Sequence, residues 1–154
     1  MPHIVYIDIS AKIEHWTKDS VVAIANDEAR AYLVTGKSKQ RARQLIRDLY
    51  GSKSASYRLL AILVYLAVKE ELAQIRQIVI DRDYSGSQAQ ATIKSLLLHL
   101  LRQEWPATPA GFIRFENVRG SRADTLAKEV FDKLARADRT IRYQEIERVI
   151  RGRA

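Results

Sequence analysis

The hydrophobic positions change period several times along the chain, and each change marks an element. His3-Ile4-Val5-Tyr6-Ile7-Asp8-Ile9 is apolar on both faces except at Asp8, the pattern of a strand buried on two sides. Ser20 to Ala25 and Ala29 to Val34 read as two more strands. The short link Asn26-Asp27-Glu28 between them makes an antiparallel hairpin. From Ser38 to Tyr50 the period becomes helical, with Ala42, Leu45, Ile46 and Leu49 on one face and Lys39, Arg41, Arg43 and Arg47 on the other. Gly51 stops this helix. Ser54 or Ser56 then caps a helix running to about Ala73. Its segment from Leu59 to Val68 is apolar all round, so it belongs inside.

Arg76 to Asp83 is a strand ending in acids, and Tyr84-Ser85-Gly86-Ser87 turns into a helix reaching about Gln103. Pro106 and Pro109 mark a loop, Gly111 to Glu116 is a fifth strand, and Arg119-Gly120 is a turn. Arg122 to Ala135 is a helix, Asp138-Arg139 breaks it, and a short basic helix from Tyr143 to Arg151 closes the chain. This order predicts a single α/β domain over 1–154, built on a mixed five-stranded sheet. An antiparallel meander joins parallel strands through right-handed crossovers, with helices on both faces.

Composition narrows the function classes. The 154 residues include 26 Lys and Arg against 18 Asp and Glu, a formal charge of +8, and no cysteine. A disulfide scaffold, a thiolate zinc site and a cysteine nucleophile are therefore excluded. The pI of about 9.9 favours a polyanionic partner, nucleic acid before an anionic membrane surface. The ten uncharged residues from Leu59 to Val68 are about half of what a membrane span needs. No leader is visible before the first strand, and the expectation is a soluble, cytoplasmic protein.

Three carboxylates stand where ligands meet α/β sheets. Asp8 interrupts an apolar strand, which is costly for a charge unless it is paired, hydrogen-bonded or bound to a cation. Asp83 ends another strand, with Asp81 two residues earlier on the same face, and ligand sites lie beyond the carboxyl ends of strands. Asp124 falls in the first turn of the helix after the fifth strand. If the first and fourth strands are parallel neighbours, Asp8 and Asp83 converge at one edge, and the later helix can bring Asp124 to them. Such hard oxygen ligands suit Mg²⁺ or Mn²⁺. Each acid also has a plain structural reading. Asp8 can pair with a buried Arg or Lys, Asp83 can cap the following helix, and Asp124 can close a Ser121-Arg122-Ala123-Asp124 capping box.

The segment Val118-Arg119-Gly120-Ser121-Arg122-Ala123-Asp124-Thr125-Leu126-Ala127-Lys128-Glu129 resembles the last motif of type 1 ribonucleases H. There a Val-Lys/Pro-Gly turn leads to Ala-Asp-x-Leu-Ala-Lys-Glu and the Asp is a metal ligand. Strand order and the strand-borne Asp8 and Asp83 also resemble the ribonuclease H-like fold. The resemblance covers most of the chain in topology and about ten residues in close sequence. It implies a divalent-metal phosphodiesterase acting on RNA/DNA hybrid or structured nucleic acid, with Asp8, Asp83 and Asp124 as catalytic metal ligands. The chain departs from the family pattern. Ile9-Ser10-Ala11-Lys12 stands where Gly-Ser would follow Asp8, Arg58 falls where a helix Glu is expected, the final-loop His is absent, and the basic helix is an insertion over about 37–51. Asp81 or Glu116 is a substitute for the missing acid. In the alternative reading Arg58 neutralises the acids, and the chain is a catalytically degenerate nucleic-acid-binding or protein-interaction module.

The charge is not evenly spread. Gly36 to Arg58 carries seven basic residues and one acid, and the tail from Arg136 carries six arginines and three acids. Lys12, Lys39, Arg41, Arg43, Arg47, Arg58, Arg119 and Arg122 are the candidate phosphate contacts, since arginine suits bidentate phosphate binding. Trp16, Tyr50 and Tyr84 can stack on bases or pack. His99, on an apolar helix, is expected to pack, and Trp105 to sit at the core edge.

Overall fold

A computed structural model describes residues 3–10, 12–26, 28–82 and 86–152. The strands are β1 (His3–Ser10), β2 (Ser20–Ala25), β3 (Ala29–Val34), β4 (Ile75–Asp81), β5 (Ile113–Glu116) and β6 (Arg139–Thr140). The helices are α1 (Gly36–Tyr50), α2 (Ala55–Val68), α3 (Ser87–Glu104), α4 (Arg122–Phe131) and α5 (Tyr143–Ile150). One sheet runs in the order β5-β4-β1-β2-β3-β6. β2 is antiparallel to β1 and β3, while β1, β4 and β5 are parallel. The class is α/β with a mixed sheet, as the pattern predicts, but the sheet has six strands and not five. The sixth, β6, pairs parallel to β3 through Tyr32–Arg139 and Leu33–Thr140. Its two polar residues carry no hydrophobic period, so only their pairing with β3 makes them a strand.

Alternation along the strands splits the sheet into two unlike faces. Val5, Ile7, Val22, Ile24, Ile78 and Ile80 point into the large core shared with α1, α2, α3 and α5. Eleven of the fourteen α2 residues are buried, and each large aliphatic among them contributes about 1.5–3 kcal/mol relative to exposure. The other face is small. Ala23 and Ala25 meet Ala123 and Ala127 of α4, and Val21 and Ala31 meet Val130. Side chains this short let α4 approach the sheet closely over β1, β2 and β3.

Several boundaries move from expectation. α2 ends at Val68, and Lys69–Gln74 tightens into a 3-10 turn. A second 3-10 turn, Ala110–Phe112, precedes β5. α4 stops at Phe131, because Lys133 adopts a left-handed conformation (φ 63) and Leu134 and Ala135 donate back to the Glu129 carbonyl. Gly51 ends α1 as expected, at φ 85 with its N–H on the Arg47 carbonyl. Among the described residues, no helix is long and apolar enough to cross a membrane.

Candidate carboxylate site and basic surface

Register brings the acids together. Ile7 lies beside Ile80 in the parallel β1–β4 pair, which puts Asp8 abreast of Asp81. Asp81 in turn pairs with Glu116 on β5. Residues abreast in parallel strands share a face, so Asp8, Asp81 and Glu116 form one row across the carboxyl ends of three parallel strands. This is the α4 face, since Asp8 also pairs with Ala23. Asp83, the strand-end ligand expected from sequence, lies outside the described residues. Asp81 is the acid of β4 that reaches Asp8.

The fourth acid comes from the start of α4. Ser121 caps that helix by accepting the Asp124 N–H at 3.2 Å. The capping box is only half made, because the Asp124 carboxylate accepts the Gly120 N–H (2.8 Å) and not that of Ser121. It also accepts from Lys128 Nζ at 3.3 Å, one helical turn on. The positive end of the helix dipole adds to these donors.

Asp8 and Asp124 titrate as a pair. Asp8 is 7% exposed. Burial, hydrogen bonds with Asp124 and Asp81, and the Asp81 charge push its carboxyl up to about 8, against one favourable bond from the Ile9 N–H (2.9 Å). Burial also acts to raise Asp124, but the Gly120 amide, the Asp8 proton and Lys128 outweigh it and hold that carboxyl below its ordinary value. At neutral pH Asp8 therefore keeps its proton and donates a hydrogen bond to the ionised Asp124, as crowded like charges require. Among the described residues Asp8 has no buried cation beside it; its side-chain partners are other acids. Among the described residues, no group of three or more His, Asp or Glu side chains is placed to hold a metal ion together. Carboxyl oxygens that would face a cation are drawn into hydrogen bonds with one another. The donor set itself, oxygen atoms of several carboxylates and no nitrogen or sulfur, is the chemistry of a Mg²⁺ or Mn²⁺ site. Glu116, at the end of the row, is half-exposed and lies 3.8 Å from Arg114.

Arg58 does not enter this cluster. Its guanidinium lies 4.0 Å over the Tyr50 ring and its Nε donates to Ser54 Oγ at 3.0 Å. It sits among α1, α2, α3 and α5, so it neither replaces a metal nor bridges the acids.

The basic residues divide between surface and interior. Arg41 lies 4.0 Å over Tyr143 and Arg43 4.9 Å over Trp16. Both stacks fix planar guanidinium groups on the α1 side of the molecule. Arg47, Lys12, Arg119 and Arg122 are exposed. Ser10 pairs with Val21, and Ser20 with Val34. The start of α1 therefore lies at the same sheet edge as the acids. Lys39 does not belong to this surface. It is fully buried, and its Nζ donates to the His15 carbonyl (2.9 Å) and Ser20 Oγ (2.8 Å). Burial pushes its ammonium down to about 8, against the charges of Asp19 and Glu14. Helical periodicity places Lys39 among the solvent-facing arginines, and only the folding of the 12–19 loop over α1 covers it. His99 is exposed and not packed, 3.5 Å from Gln103 Nε2. Trp105 does sit at the core edge, edge-to-face with Phe112 at 5.9 Å. Comparison with protein-family models, with curated proteins and with solved structures returned no match to this chain.

Proposed function

We propose that this is a ribonuclease H-like protein that binds nucleic acid and hydrolyses its phosphodiester backbone, with Asp8, Asp81 and Asp124 holding a divalent cation. The observation that carries the reading is the acid row across β1, β4 and β5, with Asp124 drawn onto it from the α4 N-terminus. A buried cluster of acids destabilises a fold unless a cation offsets it, and that cost is expected at functional sites. Mg²⁺ or Mn²⁺ would supply positive charge to the scissile phosphate and the leaving oxygen.

The chain's own groups have distinct parts. Asp8 and Asp81 are held by neighbouring strands and cannot drift apart. Asp124 is oriented by the Gly120 amide and Lys128. Exposed Arg119 and Arg122 flank Asp124 and can take phosphate oxygens. Arg41, Arg43 and Arg47 offer backbone contacts along α1.

The test is cleavage of RNA/DNA hybrid, single-stranded and branched substrates with Mg²⁺ or Mn²⁺. Wild type cleaves at least one of them, and Asp8→Asn reduces the rate by about 100-fold or more. If wild type cleaves none, hydrolysis is wrong. A second reading is favoured by the proton shared between Asp8 and Asp124, which satisfies the cluster without metal. The chain is then a nucleic-acid-binding module whose affinity falls steeply with salt, needs no metal and survives Asp8→Asn.

A further inference from the structure

We propose that a cavity in the helical layer, on the opposite side of the sheet from α4, binds a small amphipathic anion: an apolar body carrying a carboxylate or phosphate head. The cavity is about 390 Å³, within the range of small-ligand sites. α5 packs against α1 and α2, and the cavity fills the interval between α5 and α3.

Its floor is aliphatic. Ile46 of α1, Ile62 of α2, and Leu96 and Leu100 of α3 line it. Leu96 and Leu100 are only partly buried against the core, so apolar surface remains for a ligand to cover. Its rim is polar and cationic. Arg58, His99, Gln103 and Arg151 line it, and among the described residues no acid does. Arg151 is engaged by Glu147 at 3.4 Å. Among the described residues no acid engages Arg58. Its partners among the described residues are the Tyr50 ring and, through Nε, Ser54. Stacking and that one bond fix the guanidinium plane, while the two terminal nitrogens keep the fork that takes a carboxylate or phosphate bidentately. An oriented arginine over an aliphatic floor selects a ligand with both an anionic head and an apolar body. A cation or an uncharged hydrocarbon satisfies only one of the two.

The site shares no residue with the acid cluster, so it stands whether or not the chain is a nuclease. The probe is 8-anilinonaphthalene-1-sulfonate, titrated by fluorescence into the full chain, with circular dichroism confirming that each variant is folded. Wild type binds saturably at one site, and decanoate displaces the probe while decanol does not. Arg58→Gln weakens binding by about tenfold. Leu96→Trp, which fills the cavity, weakens it at least as much, and Asp8→Asn binds as wild type does. Absence of saturable binding, wild-type affinity in Arg58→Gln or in Leu96→Trp, or displacement by decanol as effective as by decanoate overturns the proposal.

Discussion

Two regions of this molecule bury an ionisable group, and they do so in opposite ways. Lys39 is sealed under the 12–19 loop with two neutral acceptors, the His15 carbonyl and Ser20 Oγ, at hydrogen-bond distance. Asp8 is buried among other carboxyls, Asp81 and Asp124. The lysine is answered by its surroundings and the aspartate is opposed by them. A satisfied buried charge acts as a structural tie. A buried carboxyl crowded by other acids is instead kept protonated at neutral pH, and such displaced titration gathers at functional sites. The difference separates an anchor from a site without reference to any relative.

The largest effect expected from this comparison is at the anchor. Lys39→Met keeps the stem's volume but removes both bonds and leaves the His15 carbonyl facing an apolar side chain. The loss is about 2–4 kcal/mol, a fall in Tm of roughly 5–15 °C for a chain of this size. An unchanged Tm on thermal denaturation would erase the distinction.

Asp8→Asn goes the other way. The amide keeps an acceptor for Ile9 N–H and a donor for Asp124, and unlike the carboxyl it keeps that donor as pH rises past about 8. Tm at pH 8 in EDTA rises by about 3 °C, and a fall would mean that the acid stabilises the fold. Stability against pH sharpens the contrast. The folded Asp8 holds its proton up to about 8 while the unfolded chain loses it near 3.8, so its contribution declines as pH rises through that window. The folded Lys39 releases its proton near 8 while the unfolded chain keeps it to 10.5, so its contribution grows with pH between those values. Chemical denaturation across pH 4 to 10.5 should show Asp8→Asn flattening the lower limb and Lys39→Met the upper.

The smallest effect is on the surface. Arg41→Ala and Arg43→Ala together reduce nucleic-acid affinity by about three- to tenfold at low salt and lower the salt slope by about two. Binding with an unchanged slope would remove α1 from the interface.

The first three strands were legible to within a residue, because β1 and β2 are nearly continuous apolar runs and the 26–28 link forces a hairpin. α1 and α2 were legible from their periods, though the tightening of Lys69–Gln74 was not, since its composition continues the helix. β6 was invisible because two polar residues have no period. Asp8 and Asp124 were visible as a charge in an apolar strand and an acid in a motif. Placing Asp81 abreast of Asp8 needed the β1–β4 register, which no local pattern encodes. Lys39 was misplaced for the same reason: its burial is decided by a loop about twenty residues earlier in the chain.

The central claim is that Asp8 and Asp81, at the carboxyl ends of β1 and β4, form a cation site with Asp124 of α4. The direct measurement is calorimetric titration of Mn²⁺ into the metal-free chain at pH 8, beside Asp8→Asn and Asp81→Asn. The account predicts saturable binding by wild type that weakens by about tenfold or more in each variant. Binding that is absent in wild type, or unchanged in both variants, would contradict it.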